Sequence, residues 1–195
     1  MSHQTVVHRV SRRESQSPLR KRDKGGAAQT ACFHPSKPFL FVATRTAVKI
    51  YHLTQQKLVK TLTSGCKWIS TIDVHPSGDH VIVGSCDRRL CWFDLDLGSM
   101  PYKTLKYHTK ALRGAKFHKR YPLMATAADD GNVHVFHSMV YSDLMRSPLI
   151  VPVKKLVAHE PNRQNLGALA LDFHPTQPWL FSCGGDSSVK LFHAI

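Results

Sequence analysis

The 195-residue sequence has few acidic residues, few cysteines and no long apolar run. No stretch approaches the roughly 18 apolar residues of a membrane-spanning helix, so we predict no membrane segment. Residues 1–15 lack the apolar core of a secretory signal peptide. The fingerprints of P-loop enzymes, dinucleotide-binding folds, α/β-hydrolases and HExxH metalloproteases are also absent. We therefore predict a protein that is not an enzyme and uses no cofactor.

The five cysteines are odd in number and scattered, unlike those of a disulfide framework. Cys86, Cys91 and Cys183 lie in predicted strands, where a small buried thiol is the simplest interpretation. A disulfide or a metal site is the alternative, but Cys86 and Cys91 have no His or Cys at ligand spacing. Reduced cysteines indicate a cytosolic or nuclear compartment.

Basic residues outnumber acidic residues by 27 to 13, giving a net charge of +14 and a pI near 9.9. An excess of this size on a small chain favours a polyanionic partner, most often a nucleic acid. The alternative is a basic surface without a dedicated partner.

A short phrase recurs four times along the chain, as FHPSKPFLFVA, VHPSGDHVIVG, FHKRYPLMATA and FHPTQPWLFSC. Its histidine lies at positions 34, 75, 118 and 174, with spacings of 41, 43 and 56 residues. A period of about 40–45 residues is that of a four-stranded propeller blade. These histidines lie one blade apart, so they cannot converge on one metal ion, and we interpret them as turn elements.

Each repeat contains the β-branched and aromatic residues and the Gly, Pro and Asp turns that half-buried strands require. First strands are predicted at Trp68–Val74, Leu112–Phe117 and Leu169–Phe173; second strands at Phe39–Ala43, Val81–Gly84, Met124–Ala127 and Leu180–Cys183; third strands at Val48–Tyr51, Leu90–Phe93, Val133–Phe136 and Val189–Phe192; fourth strands at Lys57–Leu62, Tyr102–Leu105 and Val153–Val157; and an early strand at Thr5–Val10. No segment has sustained helical periodicity, so the predicted fold is all-β.

A turn aspartate precedes the third strand of three repeats, at Asp87, Asp130 and Asp186, where it is suited to accept backbone N–H bonds. The repeats resemble those of WD-repeat propellers. The resemblance implies a buried network in which the Asp, an upstream His and a strand hydroxyl are hydrogen-bonded within one blade. Matching partners are His108 with Thr126 for Asp130, and His159 with Ser182 for Asp186. Because Arg45 replaces the first Asp, we expect apolar packing to contribute more than these networks to blade cohesion.

Seven such blades require roughly 290 residues, since a propeller ring closes only when its edges are covered. We therefore expect about four blades of a seven-bladed ring, from the C-terminal part of a longer protein or a truncated gene. The predicted divisions are 1–30 for a partial strand and basic linker, then blades at 31–62, 63–105, 106–157 and 158–195.

Two segments depart from the repeat. The stretch His137–Lys155 is an insertion between a third and a fourth strand, and we expect it to project as an apolar loop that contacts a protein partner. Its candidate contacts are Met139, Val140, Tyr141, Leu144, Met145, Leu149 and Ile150. The alternative is an insertion that folds back onto its own blade.

The segment Arg9–Lys24 holds seven basic residues and two acidic ones, which favours a loop or linker that binds phosphates or directs nuclear import. A solvated charged loop is the alternative. A second basic set lies in turns on one predicted face. The candidate RNA contacts of the two sets are Arg12, Arg13, Arg20, Lys21 and Arg22, and then Arg45, Arg88, Arg89 and Lys110.

Several stretches outside the general repeat resemble the C-terminal propeller of the block-of-proliferation proteins, chiefly CWFDLDL at Cys91–Leu97 and PLIVPVK at Pro148–Lys154. The resemblance implies a nucleolar and nucleoplasmic factor that acts with pescadillo and a second WD-repeat protein. That complex processes the precursor of the large-subunit and 5.8S rRNAs in the pre-60S particle. In the family a separate N-terminal region contacts pescadillo, and the propeller binds the second WD-repeat protein.

Three alternatives remain. The first is a generic nuclear WD-repeat adaptor unconnected with ribosomes, and the second is an enzyme with a metal or nucleophile in the central channel. The third is a non-functional product of a truncated gene.

Overall fold

The computed structural model describes residues 7–9, 14–16, 27–141 and 146–193, and every regular element in them is a β-strand. The strands are β1 (Val7–Arg9), β2 (Glu14–Gln16), β3 (Thr30–Phe33), β4 (Phe39–Ala43), β5 (Ala47–His52), β6 (Lys57–Thr63), β7 (Ile69–Val74), β8 (His80–Ser85), β9 (Leu90–Asp94), β10 (Lys103–Leu105), β11 (Leu112–Phe117), β12 (Leu123–Ala128), β13 (Asn132–Met139), β14 (Leu149–Val157), β15 (Ala168–Phe173), β16 (Leu180–Gly184) and β17 (Val189–Phe192). The described part contains no helix of the length and apolarity that a membrane span requires.

Strands β3 to β17 form four antiparallel sheets in which chain neighbours pair. Blade 1 is β3–β6, blade 2 is β7–β10, blade 3 is β11–β14, and blade 4 is β15–β17 in the described residues. A separate two-stranded ladder joins β1 to β2, with Val7 opposite Gln16. The first strands β3, β7, β11 and β15 lie next to one another in that order, so the sheets follow each other around an axis as blades of a partial propeller.

Apolar layers between successive blades hold the sheets together. Phe41 and Ile50 of blade 1 pack on Ile72 and Val83 of blade 2. A second layer joins blades 2 and 3 around Trp92, which is fully buried. A third layer joins blades 3 and 4. Central strands such as β8 are buried along their whole length because a blade covers each face, which explains their nearly continuous Val and Ile content.

The recurring histidine closes the turn between the first and second strands. His34 Nδ1 accepts the backbone N–H groups of Ser36 at 3.1 Å and Lys37 at 2.9 Å. His118 does the same for Arg120 at 2.9 Å and Tyr121 at 3.1 Å. The repeated residue is therefore a turn element, as the sequence predicts, and its side chain satisfies N–H groups that the turn leaves without strand partners.

Most predicted strands are present to within two residues, and the all-β propeller fold is confirmed. Strand β3 was not predicted. The early strand Thr5–Val10 is found as Val7–Arg9, with its other residues outside the described part. The prediction of a loop across Arg9–Lys24 is wrong at Glu14–Gln16, which forms β2.

The insertion differs more from its predicted form. The prediction of a loop across His137–Lys155 is wrong at both ends, because β13 continues to Met139 and β14 begins at Leu149. The two strands stay paired up to Met139 opposite Leu149, so the extra residues lengthen an existing hairpin. Backbone pairing satisfies more N–H and C=O groups than a projecting loop would.

Candidate interaction surfaces

Blade 3 contains a complete side-chain network beneath its connecting loop. His108 Nδ1 lies 3.2 Å from both carboxylate oxygens of Asp130, and its Nε2 lies 2.8 Å from Thr126 Oγ1. The carboxylate also accepts the backbone N–H groups of Thr109 at 2.9 Å and Asn132 at 3.0 Å. Burial alone raises the pKa of Asp130, but the hydrogen bonds from His108 and Thr109 outweigh it and hold that pKa well below its usual range.

Blade 4 repeats the arrangement. His159 Nδ1 lies 2.9 Å and 3.0 Å from the two Asp186 oxygens, and its Nε2 lies 2.8 Å from the Ser182 hydroxyl. Asp186 also accepts the Ser188 backbone N–H at 3.1 Å. In both blades the carboxylate can only accept, so the imidazole Nδ1–H donates to it, and Nε2 lies within hydrogen-bond distance of the strand hydroxyl. These bonds anchor the loop before each first strand.

Blade 2 has only the aspartate of this set. Val83 occupies the position four residues before Asp87, where blades 3 and 4 have Thr126 and Ser182. Cys66 lies in the preceding loop in place of a histidine, with its sulfur 3.6 Å from that of Cys91. Asp87 Oδ1 is buried and has no hydrogen-bond partner within the described part of the chain. Blade 2 is therefore held by apolar packing, as expected for incomplete networks.

An exposed tryptophan lies at the end of the sheets where the blades are connected. Trp68 is 46% exposed, and the Arg45 guanidinium lies 4.8 Å from its ring centre. Its backbone carbonyl accepts the Cys86 N–H at 2.8 Å and the Ser85 hydroxyl at 2.7 Å. The backbone of Trp68 is thus fixed, and its ring, whose Nε1–H donates to Gln29 Oε1 at 3.2 Å, is about half exposed to solvent. Sequence reasoning missed this residue by placing it inside a strand that begins at Ile69.

Part of the second basic set, which comprises Arg45, Arg88, Arg89 and Lys110, lies around this tryptophan. Arg88 is exposed, and Arg89 Nη1 donates to the Gly65 carbonyl at 3.3 Å. The backbone bond from Ile69 N to Arg45 O, 2.9 Å long, brings the blade 1 turn to the same loop. Lys110 lies on the next connection and donates to Asn165 at 3.4 Å. The candidates Arg12, Arg13, Arg20, Lys21 and Arg22 lie outside the described residues.

The candidate protein contacts are divided between surface and core. Met139 and Leu149 are 40% and 42% exposed, and they lie opposite each other on the paired strands. Val140 and Tyr141 are half-buried. Ile150 packs in the layer between blades 2 and 3, so its prediction as a contact is wrong. Leu144 and Met145 lie outside the described residues.

The described part of the chain holds no cluster of three or more His, Cys, Asp or Glu residues arranged to bind a metal ion. All five cysteines are free thiols. Cys86 lies in the turn after β8, not in a strand as predicted. The described side chains hold loops in place and present turns, so the arrangement is suited to binding macromolecules.

The family model "WD domain, G-beta repeat" matches residues 56–94, 99–137 and 150–193. Each match begins near the fourth strand of one blade and ends with the third strand of the next, so the sequence repeat is offset from the structural blade. The chain is 54% identical over 189 residues to "Ribosome biogenesis protein BOP1" of Mus musculus, which covers 97% of this chain and 25% of that protein. It is 53% identical over 191 residues to "Ribosome biogenesis protein ERB1" of Malassezia globosa, covering 96% and 22%. Identity to the Homo sapiens BOP1 protein is 53% over 189 residues, covering 97% and 25%. The chain thus spans about a quarter of the length of the curated relatives it matches.

Proposed function

We propose that this chain, which belongs to the WD domain, G-beta repeat family, is a non-enzymatic scaffold in ribosome biogenesis. The observation that carries the proposal is identity of 53–54% over nearly the whole chain to proteins named for that process. The chain spans about a quarter of those relatives, so the role of the whole protein is itself part of the proposal. A generic WD-repeat adaptor is not favoured, because these relatives share one named process.

The scaffold acts on the large-subunit precursor in the nucleolus and nucleoplasm. Its proposed partners are the pre-60S particle and a second WD-repeat protein, with a pescadillo-type protein bound through other parts of the full-length molecule. The fold supports docking because rigid turns are held by the networks of His108 and His159. A net charge of +14 supports proximity to pre-rRNA.

Within this function we propose that the connection end of blades 1 and 2 binds single-stranded RNA. An exposed aromatic ring flanked by arginines is the usual platform for base stacking, which contributes about 1–3 kcal/mol per base. Trp68 supplies the ring, and Arg45 and Arg88 supply charge for phosphates. The fixed backbone of Trp68 reduces the entropy lost on binding.

Affinity purification of the tagged protein from nuclear extract tests this proposal. We expect recovery of large-subunit precursor rRNA together with large-subunit ribosomal proteins. Trp68→Ala should lower RNA crosslinking several-fold while protein recovery is retained. Trp179→Ala is the matched control, since Trp179 is a similarly exposed tryptophan, at 38%, but belongs to blade 4. Recovery of unrelated nuclear complexes without ribosomal precursors would contradict the scaffold function.

A further inference from the structure

The histidine turns contact the neighbouring blade at all three junctions, but in different ways. At the junction of blades 1 and 2, His34 packs so closely on Gly78 that a Cβ there would lie 2.5 Å from the imidazole. At the junction of blades 3 and 4, His118 Nε2 lies 2.8 Å from the Gln177 carbonyl oxygen. At the junction of blades 2 and 3, the His75 ring forms hydrogen bonds only to Ser77 of its own turn within the described residues, and it packs edge-to-face on Phe117 with ring centres 5.0 Å apart.

A pocket of about 220 Å³ lies at the junction of blades 2 and 3. The junction pocket is lined by His75, Pro76, residues 118–122 and residues 138–140. Its position is preformed, because the Ser138 backbone N–H donates to the Pro122 carbonyl at 2.8 Å and His118 fixes the turn at Arg120. Binding there therefore requires little rearrangement of the backbone.

One of the residues that line this pocket, Ser138, has a buried hydroxyl. Ser138 is 1% exposed, and its Oγ has no hydrogen-bond partner among the residues that the structure describes. An unsatisfied buried polar group is unfavourable and is rare in folded proteins. A ligand group that bonds this hydroxyl relieves that penalty, so the orphan hydroxyl is an observation independent of the cavity itself.

The charge of the pocket selects the ligand. Lys119 and Arg120 are exposed at its rim and have no ion pair among the described residues, and no acidic residue lines it. Burial, and then the neighbouring His80, lower the pKa of His75 to about 4, so this ring is neutral near pH 7. The pocket of about 150 Å³ between blades 1 and 2 differs, because Lys37 lies 3.8 Å from Asp79 and neutralises it.

The walls of the junction pocket are largely apolar. Pro76, Pro122, Met139 and Val140 supply aliphatic surface, and Met139 is 40% exposed. An aliphatic side chain buried against such walls is stabilised by its removal from water. A phosphate group fits less well, because it would lose its hydration against these walls while the cations remain at the rim.

We propose that the junction pocket binds a linear peptide segment of a protein partner, in which one aliphatic anchor side chain is flanked by acidic residues. The anchor fills the apolar floor, the Ser138 hydroxyl donates to a peptide carbonyl, and Lys119 and Arg120 pair with the flanking carboxylates. This inference deepens the proposed scaffold function by giving the chemistry of a partner. Its test uses the purified chain alone, so its failure is distinguishable from failure of the role in ribosome biogenesis.

The test is fluorescence anisotropy with two labelled peptides, Asp-Glu-Glu-Leu-Asp-Glu-Glu and the same sequence with Ser in place of Leu. We expect the Leu peptide to bind about tenfold more tightly, as burial of an aliphatic side chain predicts. The Met139 methyl signal should shift in an NMR titration, whereas that of Met124, which is fully buried, should not. Equal binding of the two peptides, or an unshifted Met139 signal, would overturn the proposal.

Two variants separate binding from folding. Ser138→Ala should leave the melting temperature unchanged or raise it, because it removes an unsatisfied hydroxyl. The same variant should lower the affinity for the Leu peptide about fivefold. Arg120→Glu should weaken binding several-fold, while the matched reversal Arg163→Glu, at an exposed position between blades 3 and 4, should not. Undiminished affinity in Ser138→Ala refutes the role of the hydroxyl. An oligouridine that shifts Met139 as the peptide does would assign the pocket to RNA instead.

Discussion

Replacing Asp130 by Asn should destabilise the protein much more than the same change at Asp87. Asp130 accepts bonds from His108, Thr109 and Asn132, whereas Asp87 Oδ1 has no hydrogen-bond partner in the described ranges. The Thr109 and Asn132 N–H groups donate to different carboxylate oxygens, so the single oxygen of an Asn retains only one of these bonds. The substitution also removes the charge-assisted bond from the imidazole. Hydrogen bonds to charged groups contribute about 1.5–3 kcal/mol.

We therefore expect Asp130→Asn to lower the free energy of unfolding by about 2–3 kcal/mol. For a chain of this length that corresponds to a fall of about 4–12 °C in melting temperature. Asp87→Asn should lower the free energy of unfolding by less than about 1 kcal/mol, because it weakens a partly exposed pairing with Arg89 at 3.4 Å. Urea denaturation at pH 7 measures both values.

The effect should also depend on pH. The pKa of Asp130 in the folded protein lies below the unfolded value of about 3.9, so its stabilisation is present above pH 4. That stabilisation is lost as the pH falls further. The difference in free energy of unfolding between the parent protein and Asp130→Asn should therefore become smaller in acid. Equal destabilisation by the two substitutions, or a difference that grows in acid, would refute the account of the network.

Three further outcomes are expected. Gly84→Ala should destabilise by about 1–3 kcal/mol in urea unfolding, since its methyl group would lie 2.3 Å from Cδ2 of the buried Leu112. Arg88→Gly should raise the melting temperature, because Arg88 has a φ of 70°, which Gly adopts without strain. The same variant should reduce the slope of log affinity for RNA against log salt concentration by about 0.7 for each phosphate that it no longer binds. An unaltered slope would show that Arg88 is not part of the RNA surface. The double variant Met139→Ser with Leu149→Ser should recover less of the protein partner in pull-downs, while its melting temperature stays unchanged. Full recovery would show that the surface formed by these two residues does not bind the partner.

Local pattern was sufficient to predict most of the fold. The second strand Phe39–Ala43 and the first strand Leu112–Phe117 were predicted with their observed bounds, because β-branched and aromatic runs ended at clear turn residues. These strand bounds depend on residues close together in the chain. The His partners of Asp130 and Asp186 lie 22 and 27 residues away, and they were implied by the resemblance to WD-repeat propellers.

Features set by distant contacts were not predictable in this way. The early start of β14 depends on pairing with the extended β13, and Ile150 is buried only because blade 2 covers it. Trp68 was placed in a strand because aromatic residues favour strands, yet tertiary contacts leave its ring exposed. The junction pocket could be recognised only once the relative positions of two blades were known, together with the unpaired Ser138 hydroxyl in the described residues.

The central claim is that the protein acts in large-subunit ribosome assembly. Its most direct test is rapid degradation of the endogenous protein, followed by hybridisation analysis of pre-rRNA intermediates and rescue with the intact gene. The account predicts accumulation of large-subunit precursors, loss of mature large-subunit and 5.8S rRNA, and unchanged small-subunit processing. A normal large-subunit precursor profile after complete depletion would contradict it.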